Sequence, residues 1–261
     1  MSKSLLTKAF SQKDAIIGYV TFGDYSIEFT YQVCVAMIDE GVDVIELGLP
    51  FSDPIADGPT IQESHQRALE TSEDISIAKA LELVNRLKSF NPNIPVIFMS
   101  STNLIMAYGY DKFFSDASNC DGLILPDSSI EVLDDVLKKA KKASFKLIHL
   151  ISPLCTQTRM KKIVEASDEF IYLISSTGIT GERATFADNL KSCVQQIKSI
   201  KNIPVAVGFG VSTPDHYRQI CSFADGVIIG SHFVKLIATN MPDQKLALSE
   251  LKARVRQFKA K

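Results

Sequence analysis

Eight short apolar runs, rich in β-branched residues, recur along this chain of 261 residues, and most of them are separated by segments with helical periodicity. Each run has the length of a β-strand, and the intervening segments repeat apolar residues at helical spacing. The predicted strands span residues 15–21, 44–49, 96–100, 122–126, 146–151, 170–175, 204–208 and 226–229. The clearest predicted helices span residues 29–40, 75–90, 130–142, 157–166 and 189–200.

Strands that alternate with helices pair in parallel through right-handed crossovers, and eight of them in about 250 residues close into a barrel. The sequence therefore predicts an α/β fold, a (β/α)8 TIM barrel, as one domain over residues 1–261, with extra helices near residues 4–10 and 62–70. An open doubly wound sheet is the alternative. That fold carries a glycine-rich dinucleotide turn after its first strand, and residues 21–25, TFGDY, do not form one.

Composition excludes several classes of function. A net charge of −2 leaves no basic field for nucleic acid. The chain has no apolar run of the roughly 18 residues that a membrane helix needs, and its start lacks the apolar core of a secretory signal. The five cysteines are scattered and never form a CxxC pair, which argues against a disulfide framework and a zinc site. We expect a cytoplasmic protein without a metal.

Two acidic residues stand out by their surroundings. Glu46 lies inside the apolar run 44–49, and Asp57 follows on a loop rich in Pro, Gly and Asp. Burying an unpaired carboxylate is costly, so a fold retains Glu46 only with a partner or a chemical task. A strand acid and a loop acid suit proton transfer in both directions. The alternatives are an ion pair of Glu46 with a buried Lys or Arg, and an Asx turn or helix cap at Asp57.

Glycines follow the last two predicted strands, where barrels commonly bind phosphate. Gly208 and Gly210 let backbone N–H groups approach an anion, and Gly230 with Ser231 opens a helix whose N-terminus carries unpaired donors. The alternative is that these glycines only serve tight turns. A further glycine-rich stretch, residues 175–183, is predicted to be a lid that closes over substrate, or else a connection without a role.

Together these pieces resemble the tryptophan synthase α subunit family, over nearly the whole chain. The family's E-x-G-x-P-F-S-D-P-x-A-D-G-P-x-I-Q segment is intact at Glu46, Gly48, Pro50, Phe51, Ser52, Asp53, Pro54, Ala56, Asp57, Gly58, Pro59, Ile61 and Gln62. Further matches lie at residues 18–24, 177–181 and 208–214. The resemblance implies a carbon–carbon lyase of tryptophan biosynthesis that cleaves indole-3-glycerol phosphate to indole and glyceraldehyde 3-phosphate, with no cofactor of its own.

The resemblance also assigns roles to residues. Glu46 would protonate indole C3 and remove the hydroxyl proton, and Asp57 would accept a hydrogen bond from the indole N–H. Thr180, on the lid, would reach towards Asp57. The other residues implied to contact substrate are Phe22, Met99, Tyr172, Gly181 and Phe209. For the aromatic residues and Met99, the alternative is a place in the barrel core.

A partner is implied as well: the pyridoxal-phosphate-containing tryptophan synthase β subunit, in a heterotetramer of two α and two β subunits. The implied contact residues are Asp53, Pro54, Asn103 and Asp127. This chain departs from the family pattern at residues 100–103, at residues 127–129 and at His232. The first two departures keep open a stand-alone lyase. A catalytically idle allosteric subunit is a third hypothesis, against which the intact acids argue. We expect His65, His149 and His216 to be structural or surface residues.

Overall fold

The fold is a closed barrel of eight parallel strands joined in chain order, β1 to β8, with β8 returning to β1. The computed structural model describes residues 4–11, 13–71, 73–174, 183–208 and 210–260. The strands are β1 Ala15–Thr21, β2 Val44–Gly48, β3 Val96–Met99, β4 Gly122–Ile124, β5 Leu147–Ile151, β6 Ile171–Ile174, β7 Val205–Gly208 and β8 Gly226–Ile229. The predicted fold class is confirmed.

Helices surround the barrel and connect its strands. They are α1 Leu5–Ala9, α2 Ile27–Asp39, α3 Pro59–Leu69, α4 Ile77–Phe90, α5 Thr102–Tyr108, α6 Tyr110–Asp116, α7 Asp134–Lys142, α8 Gln157–Ala166, α9 Arg183–Ile200, α10 Pro214–Cys221, α11 Ser231–Asn240 and α12 Gln244–Lys259. The extra helices expected near residues 4–10 and 62–70 are α1 and α3. The latter begins at Pro59, because proline suits a first helical turn.

The barrel interior is filled, so that space for a ligand remains at the carboxyl ends of the strands. Inward side chains from successive strands form one cluster, and the first helix adds Leu6 and Phe10 to it. The Phe10 and Phe170 rings lie 5.0 Å apart at the amino end of the barrel. Outward side chains of the same strands pack against the helices, because neighbouring residues of a strand face opposite ways.

Candidate active site

A cavity of about 480 Å³ opens at the carboxyl ends of the strands. It is lined by residues of β1, β2, β3, β5, β6 and β8, of the loops that follow β2, β4 and β7, and of the helices α3 and α11. Both predicted acids, Glu46 and Asp57, are among its lining residues. The structure thus brings the strand acid and the loop acid together at the end of the barrel where TIM-barrel enzymes carry out chemistry.

Glu46 is fully buried on β2, in register between Tyr19 of β1 and Ile97 of β3. Among the described residues, neither of its carboxylate oxygens has a hydrogen-bond partner, and no Lys or Arg forms an ion pair with it. Burial, and then the nearby charge of Asp57, raise the pKa of Glu46 to about 8. The geometry therefore favours a chemical task for this acid over the alternative of a structural ion pair.

Asp57 lies on the loop between β2 and α3. Its backbone N–H bonds to the carbonyl of Pro54 at 3.0 Å, and its own carbonyl accepts from Gln62 Nε2 at 2.9 Å. The helix cap is the next residue, Gly58, so the Asp57 side chain is not used as a cap. Burial raises the pKa of this carboxyl to about 6. One carboxylate oxygen lies 3.7 Å from Nε2 of His65.

Two further predicted substrate contacts, Met99 and Tyr172, also line this cavity. Tyr172 lies on β6, and burial, followed by the charges of Glu46 and Asp57, raises its pKa well above the ordinary value. Its ring passes close to Gly208, where a Cβ would lie 2.5 Å from Cε1 of the tyrosine. A glycine at that position is therefore required by the ring.

Phe22 is a correction to the sequence prediction. It was expected to line the indole pocket, but it is absent from the described lining of the cavity and lies fully buried in the core between barrel and helices. The reason is the period of two along a strand: Phe22 continues the outward phase of Ile16 and Val20. Tyr19, on the inward phase, takes the place at the cavity. Tyr19 is two residues from Ile17 and therefore faces the same, inward side of β1. This alternation is the sequence signal that could have identified Tyr19 as the cavity residue.

Of the four predicted phosphate contacts, Gly210, Gly230 and Ser231 line the cavity. Gly210 has a positive φ of 75°, a conformation that glycine adopts without strain. Ser231 is the first residue of α11, so backbone donors of that helix face the cavity end. Gly208 is not in the described lining and ends β7 beneath Tyr172.

A lysine that the sequence interpretation missed, Lys235 on α11, also lines this end of the cavity. It brings a positive charge to the region where an anion was predicted. His232 lines the cavity too, but its Nε2 lies 3.1 Å from Nη1 of Arg254 and its ring packs edge-on against Phe258. Those contacts favour a covering role at the helix end.

Some predicted features fall outside the described part of the chain. Residues 175–182 of the predicted lid, with Thr180 and Gly181, and Phe209 are not among the described residues. Over the ranges that are described, no three His, Cys, Asp or Glu side chains are grouped as a metal site. Within the same ranges, every helix is too short or too polar to cross a membrane.

The predicted partner residues lie on the loops after β2 and β4, which carry Asp53, Pro54 and Asp127, and on α5, which carries Asn103. Asp53 and Asn103 are exposed, and Asp53 and Pro54 line a smaller cavity of about 30 Å³ that also contacts Asp57 and Met99. Asp127 accepts hydrogen bonds from the hydroxyl of Ser101 at 2.8 Å and the backbone N–H of Thr102 at 3.0 Å. Two large apolar side chains of the same segments are exposed, Ile55 on the loop after β2 at 84% and Met106 on α5 at 58%.

Comparison with known proteins agrees with this geometry. The family model described as tryptophan synthase alpha chain matches residues 6–261. This chain belongs to the tryptophan synthase alpha chain family. A relative of that name from a Thermoanaerobacter species is 40% identical over 250 residues, which cover 95% of this chain and 93% of the relative.

Solved structures agree as well. Tryptophan synthase subunit alpha from Legionella pneumophila superposes with a TM-score of 0.89 at 31% identity, covering 98% of this chain and 97% of the other. A chain of the tryptophan synthase complex from Pyrococcus furiosus gives a TM-score of 0.84 at 32% identity, covering 95% and 98%. The predicted family, its lyase class and its place in tryptophan biosynthesis are thereby confirmed.

Proposed function

We propose that this chain cleaves indole-3-glycerol phosphate to indole and glyceraldehyde 3-phosphate, with Glu46 and Asp57 as its catalytic residues. The observation that carries the proposal is that two carboxyl groups on one cavity have different pKa values, about 8 for Glu46 and about 6 for Asp57. Near neutral pH the first therefore holds its proton while the second is mostly charged. An acid and an anion on one cavity are what a retro-aldol cleavage of this substrate requires.

Glu46 gives its proton to indole C3, which leaves a cationic ring and a carboxylate. The carboxylate then removes the proton of the side-chain hydroxyl nearest the ring. As that O–H electron pair forms the aldehyde, the carbon–carbon bond breaks and its electrons return to the ring. Glu46 ends protonated, because it takes the hydroxyl proton in place of the one that it gave to C3, so the step consumes no external acid or base. Asp57, as the anion, stabilises the cationic ring through the indole N–H.

We assign the phosphate of the substrate to the N-terminus of α11 and the neighbouring loop. Backbone donors at Gly230 and Ser231, the open backbone at Gly210 and the charge of Lys235 support this assignment. An anion gains about 0.3–1 kcal/mol from a helix N-terminus, and the hydrogen bonds add to that. The phosphate would thereby hold the indole ring at the end of the cavity where the acids lie.

We infer further that the partner is a tryptophan synthase β subunit, joined in a heterotetramer of two α and two β subunits, and that pyridoxal phosphate belongs to that partner. The exposed Ile55 and Met106 beside Asp53, Pro54 and Asn103 support docking on this face. We place the protein in the cytoplasm, since all five cysteines are free thiols, as a reducing compartment requires.

Indole release by the purified chain tests the proposal. Indole-3-glycerol phosphate is supplied, and free indole is measured at increasing β subunit. We expect the rate of indole release to rise with the concentration of β subunit. We expect no indole release from the Glu46→Gln variant, whose circular dichroism spectrum should match that of the wild-type chain and so show that it is folded. Full turnover without the β subunit would favour a stand-alone lyase. No release from the wild-type chain, with the β subunit still activated, would favour the idle allosteric subunit and overturn the proposal.

A further inference from the structure

His65 lies on α3 against the two acids, and its hydrogen bonds assign its tautomer. The imidazole is 5% exposed. Its Nδ1 accepts a hydrogen bond from the backbone N–H of Phe51 at 3.1 Å. A backbone N–H only donates, so Nδ1 is unprotonated and the neutral ring carries its proton on Nε2. Burial lowers the pKa of His65 to about 4, which keeps the ring neutral at pH 7.

The Nε2 atom of His65 lies close to two side chains that line the cavity. It lies 3.2 Å from the Tyr19 hydroxyl and 3.7 Å from the nearer carboxylate oxygen of Asp57. With its proton on Nε2, the imidazole donates to the phenol oxygen, which also accepts from the Thr21 hydroxyl at 3.3 Å. The phenol proton itself is not used in either of these two hydrogen bonds. It is left to donate to Asp57 or to a bound molecule.

We propose that His65 is a positioning residue for this site: held by the Phe51 N–H, it donates through Nε2 to the Tyr19 hydroxyl and so orients the phenol proton towards Asp57 and the substrate. The inference rests on the proposed function, in which Asp57 binds the indole N–H. It assigns a task to a residue that the sequence interpretation treated as structural. Through its bond to Phe51, His65 also connects α3 with the loop that carries both Phe51 and Asp57.

A purely structural role would be to hold α3 against β1. That attachment exists without His65, because the Ser64 hydroxyl on the same helix bonds to the Thr21 hydroxyl of β1 at 2.6 Å. Its other hydrogen bond, to the carbonyl of Ile61 at 2.7 Å, lies within α3. Ser64 is fully buried and makes no hydrogen bond to either acid. Ser64→Ala is therefore a matched control, which removes a hydrogen bond between α3 and β1 and leaves the partners of both His65 ring nitrogens in place.

Two substitutions separate the two ends of the imidazole. Asparagine places an amide oxygen near Nδ1, so His65→Asn keeps an acceptor for the Phe51 N–H and loses the far donor. Glutamine places an amide N–H near Nε2, so His65→Gln keeps the donor. We expect kcat for indole release to fall roughly tenfold in His65→Asn, with KM little changed, and to recover to within about threefold in His65→Gln. Ser64→Ala should keep kcat within about twofold.

Nitrogen NMR of the wild-type chain, labelled in histidine, tests the tautomer independently of activity. We expect His65 Nε2 protonated and Nδ1 unprotonated between about pH 6 and 8. A proton on Nδ1, or equal losses of kcat in His65→Asn, His65→Gln and Ser64→Ala, would overturn the proposal. A wild-type chain that releases no indole would instead refute the proposed function, and the tautomer would still be decided.

Discussion

Glu46 and Asp57 line the same cavity, Glu46 from strand β2 and Asp57 from the loop that follows that strand. The strand acid is fully buried and has no hydrogen-bond partner within the described part of the chain, whereas the loop acid keeps part of its surface in water. Their pKa values, about 8 and about 6, differ for that reason. Because the pKa of Glu46 is the higher of the two, Glu46 is a proton donor and Asp57 an anion at any pH between about 6 and about 8.

The first prediction concerns the pH dependence of indole release. The active form has Asp57 charged and Glu46 protonated. The value of kcat/KM should therefore rise as pH passes about 6 and fall as it passes about 8, the two values belonging to the coupled pair. Steady-state rates across this range measure the profile. A kcat/KM that does not change between about pH 5 and 9 would contradict the assignment. In the Asp57→Asn variant, the rise of kcat/KM near pH 6 should be absent.

The second prediction concerns stability. Burial raises the pKa of Glu46 from 4.5 in the unfolded chain to about 8 in the folded one, so the folded state binds the proton more tightly. The stabilising contribution is complete below the unfolded value and is lost as pH rises towards about 8. Relative to wild type, Glu46→Gln should therefore gain on the order of 3 kcal/mol in unfolding free energy between about pH 5 and 8.

Urea unfolding of both proteins at several pH values checks this difference. Since most other groups titrate alike in both proteins, the comparison isolates the proton of Glu46 and its coupling to Asp57. Equal pH dependence of the two unfolding free energies would show that Glu46 is ionised in the folded state near neutral pH. It could then not serve as the acid that protonates the indole ring.

The sequence predicted the barrel because eight apolar runs alternate with helical segments, a pattern that local propensities maintain. It placed Phe22 wrongly at the cavity because the resemblance gave a residue type near a strand end, whereas the phase of β1 points Tyr19 inward. The contacts of His65 could not be predicted, since Phe51, Tyr19 and Asp57 meet it only after β1, β2 and α3 have packed together.

The third prediction uses the contact between Gly208 and Tyr172. A Cβ at Gly208 would lie 2.5 Å from the buried tyrosine ring, so Gly208→Ala must shift that ring. Overpacking of this kind costs about 1–3 kcal/mol. We expect KM for indole-3-glycerol phosphate to rise about tenfold. Gly58→Ala is the control, because its φ is −76° and no atom lies within 4 Å of the added carbon. Equal KM values for the two variants would contradict the prediction.

The fourth prediction tests the docking face with two equally exposed apolar residues. Ile55, 84% exposed, lies on the loop between the predicted contacts and Asp57, whereas Leu154, 86% exposed, follows β5 outside that set. A charge buried at a protein interface without a partner is costly. Ile55→Asp should therefore weaken binding to the β subunit at least roughly tenfold, and Leu154→Asp should change it less than about threefold. Calorimetric titration measures both. Equal losses, or a larger loss at Leu154, would move the interface towards β5 and away from the loop that carries Asp57.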